Sequence, residues 1–298
     1  MRHLLSVALL LAFTANLSAG EQAVALKVQK ETVDVTIGGK PFAVYNFAKS
    51  LPKPFFSPVR GPGGNIMTRP IDNPVDHPHH KGIWVAVDEI NDIKFWAEKG
   101  KIANVSVKAL VAKGDPAKLQ VVNHWLGEDG KPVVTETTVI GIHANHLLTY
   151  DIKFTAGKNS VHFGDTKEGL LGFRMVDSMR ENEGGHVANA DGIKGAKACW
   201  GKRSAWVDYY GDVEGTTLGV ALFDHPKNFL PSRYHVRNYG LFSVSPFGEK
   251  AYAKLDPAVA DLKPGKSFSL KYGVYLHAGD TKAAKVADVY KQYVKSAE

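Results

Sequence analysis

The chain has 298 residues and a single cysteine, Cys199, so it cannot close an internal disulfide and must draw its stability from an apolar core. Lys and Arg number 37 against 30 Asp and Glu, a net charge of +7, but the basic residues are scattered and no nucleic-acid module is recognisable, which argues against nucleic acid as a partner. Beyond the first twenty residues no stretch approaches the roughly 20 apolar residues of a membrane span, so no membrane insertion is expected.

Residues 1–20, MRHLLSVALLLAFTANLSAG, have the three parts of a secretory signal peptide: a basic start at Arg2 and His3, an apolar run from Leu4 to Phe13, and small residues at Ser18-Ala19-Gly20. The expectation is export to the periplasm or the medium, with residues 21–298 as one domain. Cleavage removes Arg2, leaving 36 basic against 30 acidic residues, a charge of +6.

Alternating apolar and polar residues then predict strands over 25–37, 40–47, 82–87, 103–112, 119–126, 131–142 and 147–156, divided by turn chemistry such as Gly38-Gly39 and Gly114-Asp115-Pro116. Glu128-Asp129-Gly130-Lys131 is a hairpin signal. The pattern continues over 169–178, 204–211, 215–224, 239–245 and 268–277. One helix is predicted, at the end, where Val286, Val289, Tyr290, Tyr293 and Val294 recur at helical spacing after the cap candidates Asp280 and Thr281. Without βα alternation, the expected fold is all-β: a large antiparallel β-sandwich with one C-terminal helix. The triplet Asp76-His77-Pro78 recurs as Asp224-His225-Pro226, which by itself does not establish a duplication.

Four segments carry chemistry. In DHPHHKGIW (76–84), Pro78 forbids a helix. If the segment is extended, His77 and His79 point one way and His80 the other. His77 and His79 with Asp76 could then bind a divalent metal, although no complete ligand set is evident and no cofactor is required. The other readings are acid/base work or hydroxyl contact, and histidines bonded within a turn. In GFRMVDSMRENEGGHVAN (172–189), Arg174 lies within an apolar strand and calls for a carboxylate or an anion, and shares its face with Arg180. Glu183 and His186 follow as acid and base candidates or as solvated loop charges. In WGKRSAWVDYYG (200–211), alternation puts Trp200, Lys202, Ser204, Trp206 and Asp208 on one face, which suits a sugar cleft or an exposed sheet face. The long segment 222–242 has no clear period and holds Asp224, His225, His235 and Arg237.

At these segments the chain resembles the bacterial PmoA-like family, labelled "methane oxygenase PmoA". The matching stretches are HPHHKGIW (77–84) with Lys94-Phe95-Trp96, GDTKEGLLGFRMVDSMR (164–180), CWGKRSAWVDYYG (199–211) and FDHPKNFLPSRYHVRNYGLFSVSPFG (223–248). A membrane methane monooxygenase subunit is a bundle of long apolar helices, which this chain lacks. What the resemblance implies instead is an exported protein of polysaccharide-degrading bacteria. The β-rich pattern is also similar to the galactose-mutarotase-like supersandwich, a fold-level analogy. In mutarotases a histidine acid and a carboxylate base act at the anomeric centre. His79 or His80 would stand for the acid, and Asp208, Asp224 and Glu183 stay open for the base. The expectation is a carbohydrate-active lyase, hydrolase or epimerase. His79, His80, Arg174, His225 and His235 would do the chemistry, and Arg180, Glu183, His186, Trp200, Lys202, Trp206, Asp208, Asp224 and Arg237 would hold a carbohydrate. The alternatives are a non-catalytic glycan binder and a metal-dependent oxidoreductase built on the histidines.

Overall fold

The computed structural model describes residues 23–296 except 73 and 259, so the signal-peptide reading of residues 1–20 lies outside the described residues. Within them the chain forms an antiparallel β-sandwich of a nine-stranded and an eight-stranded sheet, with a small four-stranded sheet at its side. The first sheet runs Arg233–Val236, Leu241–Ser245, Leu171–Arg174, Ile83–Val85, Phe55–Val59, Lys40–Asn46, Thr32–Ile37, Val24–Val28, Lys113–Gly114. The second runs His186–Asn189, Trp206–Val213, Thr216–Asp224, Ser267–Ala278, Leu147–Ala156, Pro132–Ile142, Ala117–Leu126, Lys101–Val111. Each sheet therefore takes strands from both halves of the chain.

Alternation of apolar and polar residues becomes alternation of burial. In Ala117–Leu126, Ala117, Leu119, Val121, Asn123 and Trp125 face inward. The hairpin at 128–131 forms as its sequence requires, with Gly127 N donating to Lys131 O at 2.8 Å. The apolar inner faces meet in one continuous core that includes Phe56, Trp84, Trp125, Phe154, Phe173 and Phe242. Three neighbouring strands depart from alternation: Leu171–Arg174, Arg233–Val236 and Leu241–Ser245 are buried at every residue, covered on both faces. That is why Arg174 has no exposed side-chain surface.

The C-terminal helix Val286–Ser296 closes a second, smaller core. Val286 and Tyr293 pack there on Leu147, Trp206, Ala221 and Phe223 of the eight-stranded sheet. The turn before it is capped by Asp280, whose Oδ1 accepts from Lys282 N (3.0 Å) and Ala283 N (2.8 Å). Thr281, the other cap candidate, instead donates its hydroxyl to Asp208 at 2.5 Å. Among the described residues no helix is long and apolar enough to cross a membrane.

Candidate functional site

Strand register gathers the site. Arg174 pairs with Leu241, Phe173 with Ile83, and Val236 with Phe242, all antiparallel. The chain thus leaves the sheet at Arg174 and Val236 and enters it at Leu241 and Ile83 along one edge. Whatever flanks those ends must meet: the histidine segment, Arg174, and Arg237 to Gly240. Gly240 is needed there, because its φ of +86° suits glycine and a Cβ would stand 3.0 Å from Arg180 Cγ and 2.9 Å from Met175 Cγ.

The histidine segment is a turn and not an extended strand entry. His80 N donates to His77 O at 3.0 Å, and His77 takes a φ of +38°. The extended reading, with His77 and His79 on one side, is therefore corrected: a turn brings its first and fourth residues together. His77 and His80 stack at 4.7 Å and 4°. Tyr239 stacks on His77 at 5.0 Å and 11°, and Trp84 on His80 at 5.5 Å and 19°. Four rings form one column, Tyr239–His77–His80–Trp84, with His79 edge-on to His80 at 4.4 Å.

Charge fixes the column in place. Asp76 accepts two bonds from Arg174 Nη2, at 2.9 and 3.2 Å, and one from Arg69 Nη1. Burial raises the Asp76 pKa, but the Arg174 and Arg69 guanidiniums outweigh it and bring the carboxyl down to about 2. Arg69 also donates to His77 O at 2.9 Å, and Arg174 Nη1 lies 3.4 Å from His80 Nδ1. His80 is driven well below the ordinary histidine value by burial and then by its cationic neighbours, so its ring is neutral. Burial followed by the Lys53 charge brings His79 down to about 4. Lys53 itself is buried, donating to His79 O and Glu98 Oε1 at 2.7 Å each.

The accessible end of the column is Tyr239 and His77, whose side chain is 40% exposed. Glu168, half-buried, belongs to this end. Burial raises its pKa, then the Asp88 charge, while the His77 charge pulls it down less strongly. Tyr239 and Tyr252 both feel the Glu168 charge in turn. Sequence reasoning missed this carboxylate. Its signal was only that it stands three residues before a fully buried strand.

A second group adjoins through Arg237, whose guanidinium lies 5.4 Å over Tyr239, with Arg174 5.1 Å from the same ring. His235 is buried, with Nδ1 3.1 Å from the Tyr252 hydroxyl, which donates its own proton to Lys167 O. Nδ1 is therefore the protonated nitrogen. Burial, then Arg237 and Lys167, hold His235 down to about 3. Trp200 packs edge-on against Tyr252 at 4.7 Å and borders a groove of about 450 Å³ with Glu181, Lys197, Val236, Arg237 and Asn238.

The structure thus brings together His77, His79, His80, Arg174, Trp200, His235 and Arg237, with Arg180 close to Arg174 and bonded to Asp177. Glu183 and Lys202 are exposed, and His186 lies exposed on an edge strand beside Tyr210. The single face expected for 200–208 does not exist, because a short helix, Ala196–Cys199, precedes and the strand begins only at Trp206. Trp206 faces the second core. Asp208 is buried and bonded to His277 Nε2 at 2.9 Å. Asp224 accepts from Asn228 and Ser232, each near 2.8 Å, and His225 packs edge-on against Tyr293. These four belong to the framework. Among the described residues no group of three or more His, Cys, Asp or Glu is arranged to hold a metal ion.

A family profile described as "Family of unknown function (DUF6807)" matches residues 32–291. The chain belongs to DUF6807. The family's matched span contains every site residue named above. No curated protein sequence matches the chain. Solved structures similar to it include a galactose 1-epimerase from Lactobacillus acidophilus NCFM, at 8% identity and TM-score 0.43, covering 87% of this chain and 98% of that one. A galactose mutarotase-like protein from Lactobacillus casei ATCC 334 has 10% identity and TM-score 0.42, covering 85% and 100%. A beta-arabinopyranosidase has 13% identity and TM-score 0.35, covering 86% of this chain and 38% of that one.

Proposed function

We propose that this chain is an exported carbohydrate-active enzyme whose proton transfers are made by Glu168 and His77. The observation that carries the reading is the open end of the ring column. There an accessible imidazole, a half-buried tyrosine and a carboxyl with a raised pKa stand beside a groove. A carboxyl whose pKa burial raises is better suited to donate than an ordinary one, and an accessible imidazole to accept. His80, Arg174, Arg69 and Asp76 lie behind and fix the geometry, which makes them positioning residues. This shifts the catalytic assignment from the half-buried His79 and the buried His80, Arg174, His225 and His235 to the accessible pair.

Proton removal and return at a sugar carbon or oxygen is common to epimerases, lyases and the acid step of hydrolases. These steps draw on side chains alone, so a chelator leaves turnover unchanged on this reading. The likeness of residues 77–84 and 164–248 to PmoA-like proteins is part of the proposal, without the methane-oxidising label. The test is incubation of the purified chain with plant and algal polysaccharides, with mass spectrometry of products. Product formation lost in His77→Ala and Glu168→Gln supports the enzyme. Glycan binding without product, or variants as active as the parent, would overturn it in favour of a binding module.

A further inference from the structure

The groove beside the column has a composition of its own. Two of its side chains, Arg237 and Lys197, are exposed cations that form no ion pair among the described residues. Its one carboxylate, Glu181, already accepts from Ala196 N through Oε1 at 2.8 Å. Trp200 lines the groove, and its indole N–H is buried and meets no acceptor among the described residues. An indole donor shut away from water and left unmated costs free energy, and a ligand oxygen in the groove would remove that cost.

Cations without an ion-pair partner among the described residues, a waiting donor and a ring edge describe a pocket for an oxyanion carried on a small polar body. The volume of about 450 Å³ lies within the range of small-ligand pockets. Arg237 is already oriented by Tyr239, 5.4 Å away, so its planar fork is partly ordered before any ligand arrives. Because Arg237 lies over the same Tyr239 that stacks on His77, the groove adjoins the open end of the ring column.

We infer that the Trp200–Arg237–Lys197 groove is a subsite for an acidic sugar unit, so the substrate of the adjoining site is an anionic glycan. The anion would sit on Arg237 and Lys197, and the Trp200 N–H would bind an oxygen of the same unit. This inference rests on the proposed carbohydrate activity and adds the charge of the substrate to it.

Calorimetry on the full chain tests it with three short oligosaccharides of equal length: a uronic-acid oligomer, a sulfated oligomer and a neutral one. Expected is binding of an acidic oligomer but not the neutral one, weakening as ionic strength rises. The two acidic arms tell a carboxylate from a sulfate ester. Arg237→Gln is expected to raise Kd at least about tenfold, as loss of a charged hydrogen bond does, and Trp200→Phe about fivefold. Arg237 is exposed and phenylalanine keeps a ring at Trp200, so both variants should retain the parent circular dichroism. Equal binding of neutral and acidic oligomers, binding of none, or an unchanged Kd in Arg237→Gln would overturn the assignment. Turnover confined to neutral glycans would overturn it too while leaving the enzyme reading intact. Acid-selective binding without any turnover would do the reverse.

Discussion

The triplet Asp-His-Pro occurs twice, at 76–78 and 224–226, and its two copies have opposite surroundings. Asp76 is partly exposed and meets two guanidiniums, and His77 beside it is accessible and stacked between Tyr239 and His80. Asp224 is buried, and its hydrogen bonds among the described residues come from neutral donors: an amide, a hydroxyl and backbone N–H groups. His225 is buried with it, its Nδ1 accepting from Lys227 N. The first triplet is held by charge at a sheet edge, and the second by neutral donors under a helix. Residue types alone do not assign a role. The partners that the fold supplies do.

Several measurements would break or sharpen this contrast, and the largest effect concerns turnover. His77→Ala should cut turnover by roughly 10²–10⁴-fold while leaving Tm nearly unchanged, whereas His225→Ala should leave turnover intact. Equal kinetic losses in the two would end the distinction. Next comes stability. Asp76→Ala leaves the fully buried Arg174 side chain without its carboxylate and should cost about 3 kcal/mol by chemical denaturation. Asp224→Ala strands its neutral donors and should cost about 2 kcal/mol.

The pH dependence should carry opposite signs. Asp76 has a folded pKa near 2 against an ordinary 3.8, so the unfolded chain binds more protons between these values. Its contribution is present above about pH 4 and lost as pH falls toward 2; Asp76→Asn should flatten that part of an acid titration. Asp224 is raised by burial, with its hydrogen bonds pulling the other way. Its contribution is present below 3.8 and is lost as pH rises through the higher folded value, so Asp224→Asn should remove a loss on the alkaline side. The smallest effect is local: His225→Ala should speed amide exchange in Val286–Ser296, because the imidazole edge supports Tyr293.

Strand alternation made most of the sandwich legible, and the terminal helix was readable from five apolar positions. Alternation failed at the site for a physical reason. Residues 77–80 form a turn, so spacing of three and not two set which rings met. Residues 200–205 follow a short helix, so Trp200 and Trp206 went to different places. Arg174 announced itself as a charge in an apolar strand, and its demand for a carboxylate was met by Asp76 from nearly a hundred residues away. Glu168 gave no such announcement. A surface-type residue between Lys167 and Gly169 becomes distinctive only when burial raises its pKa, and burial there is a long-range property.

Trp206 lies beneath the C-terminal helix, apart from Trp84, Trp96 and Trp125 in the main core. Undocking of that helix would wet this one indole while the three core indoles stay dry. A red shift in emission, absent from a Trp206→Phe variant, would then report helix release before global unfolding. The chain carries a built-in optical gauge of whether its last eleven-residue helix is seated.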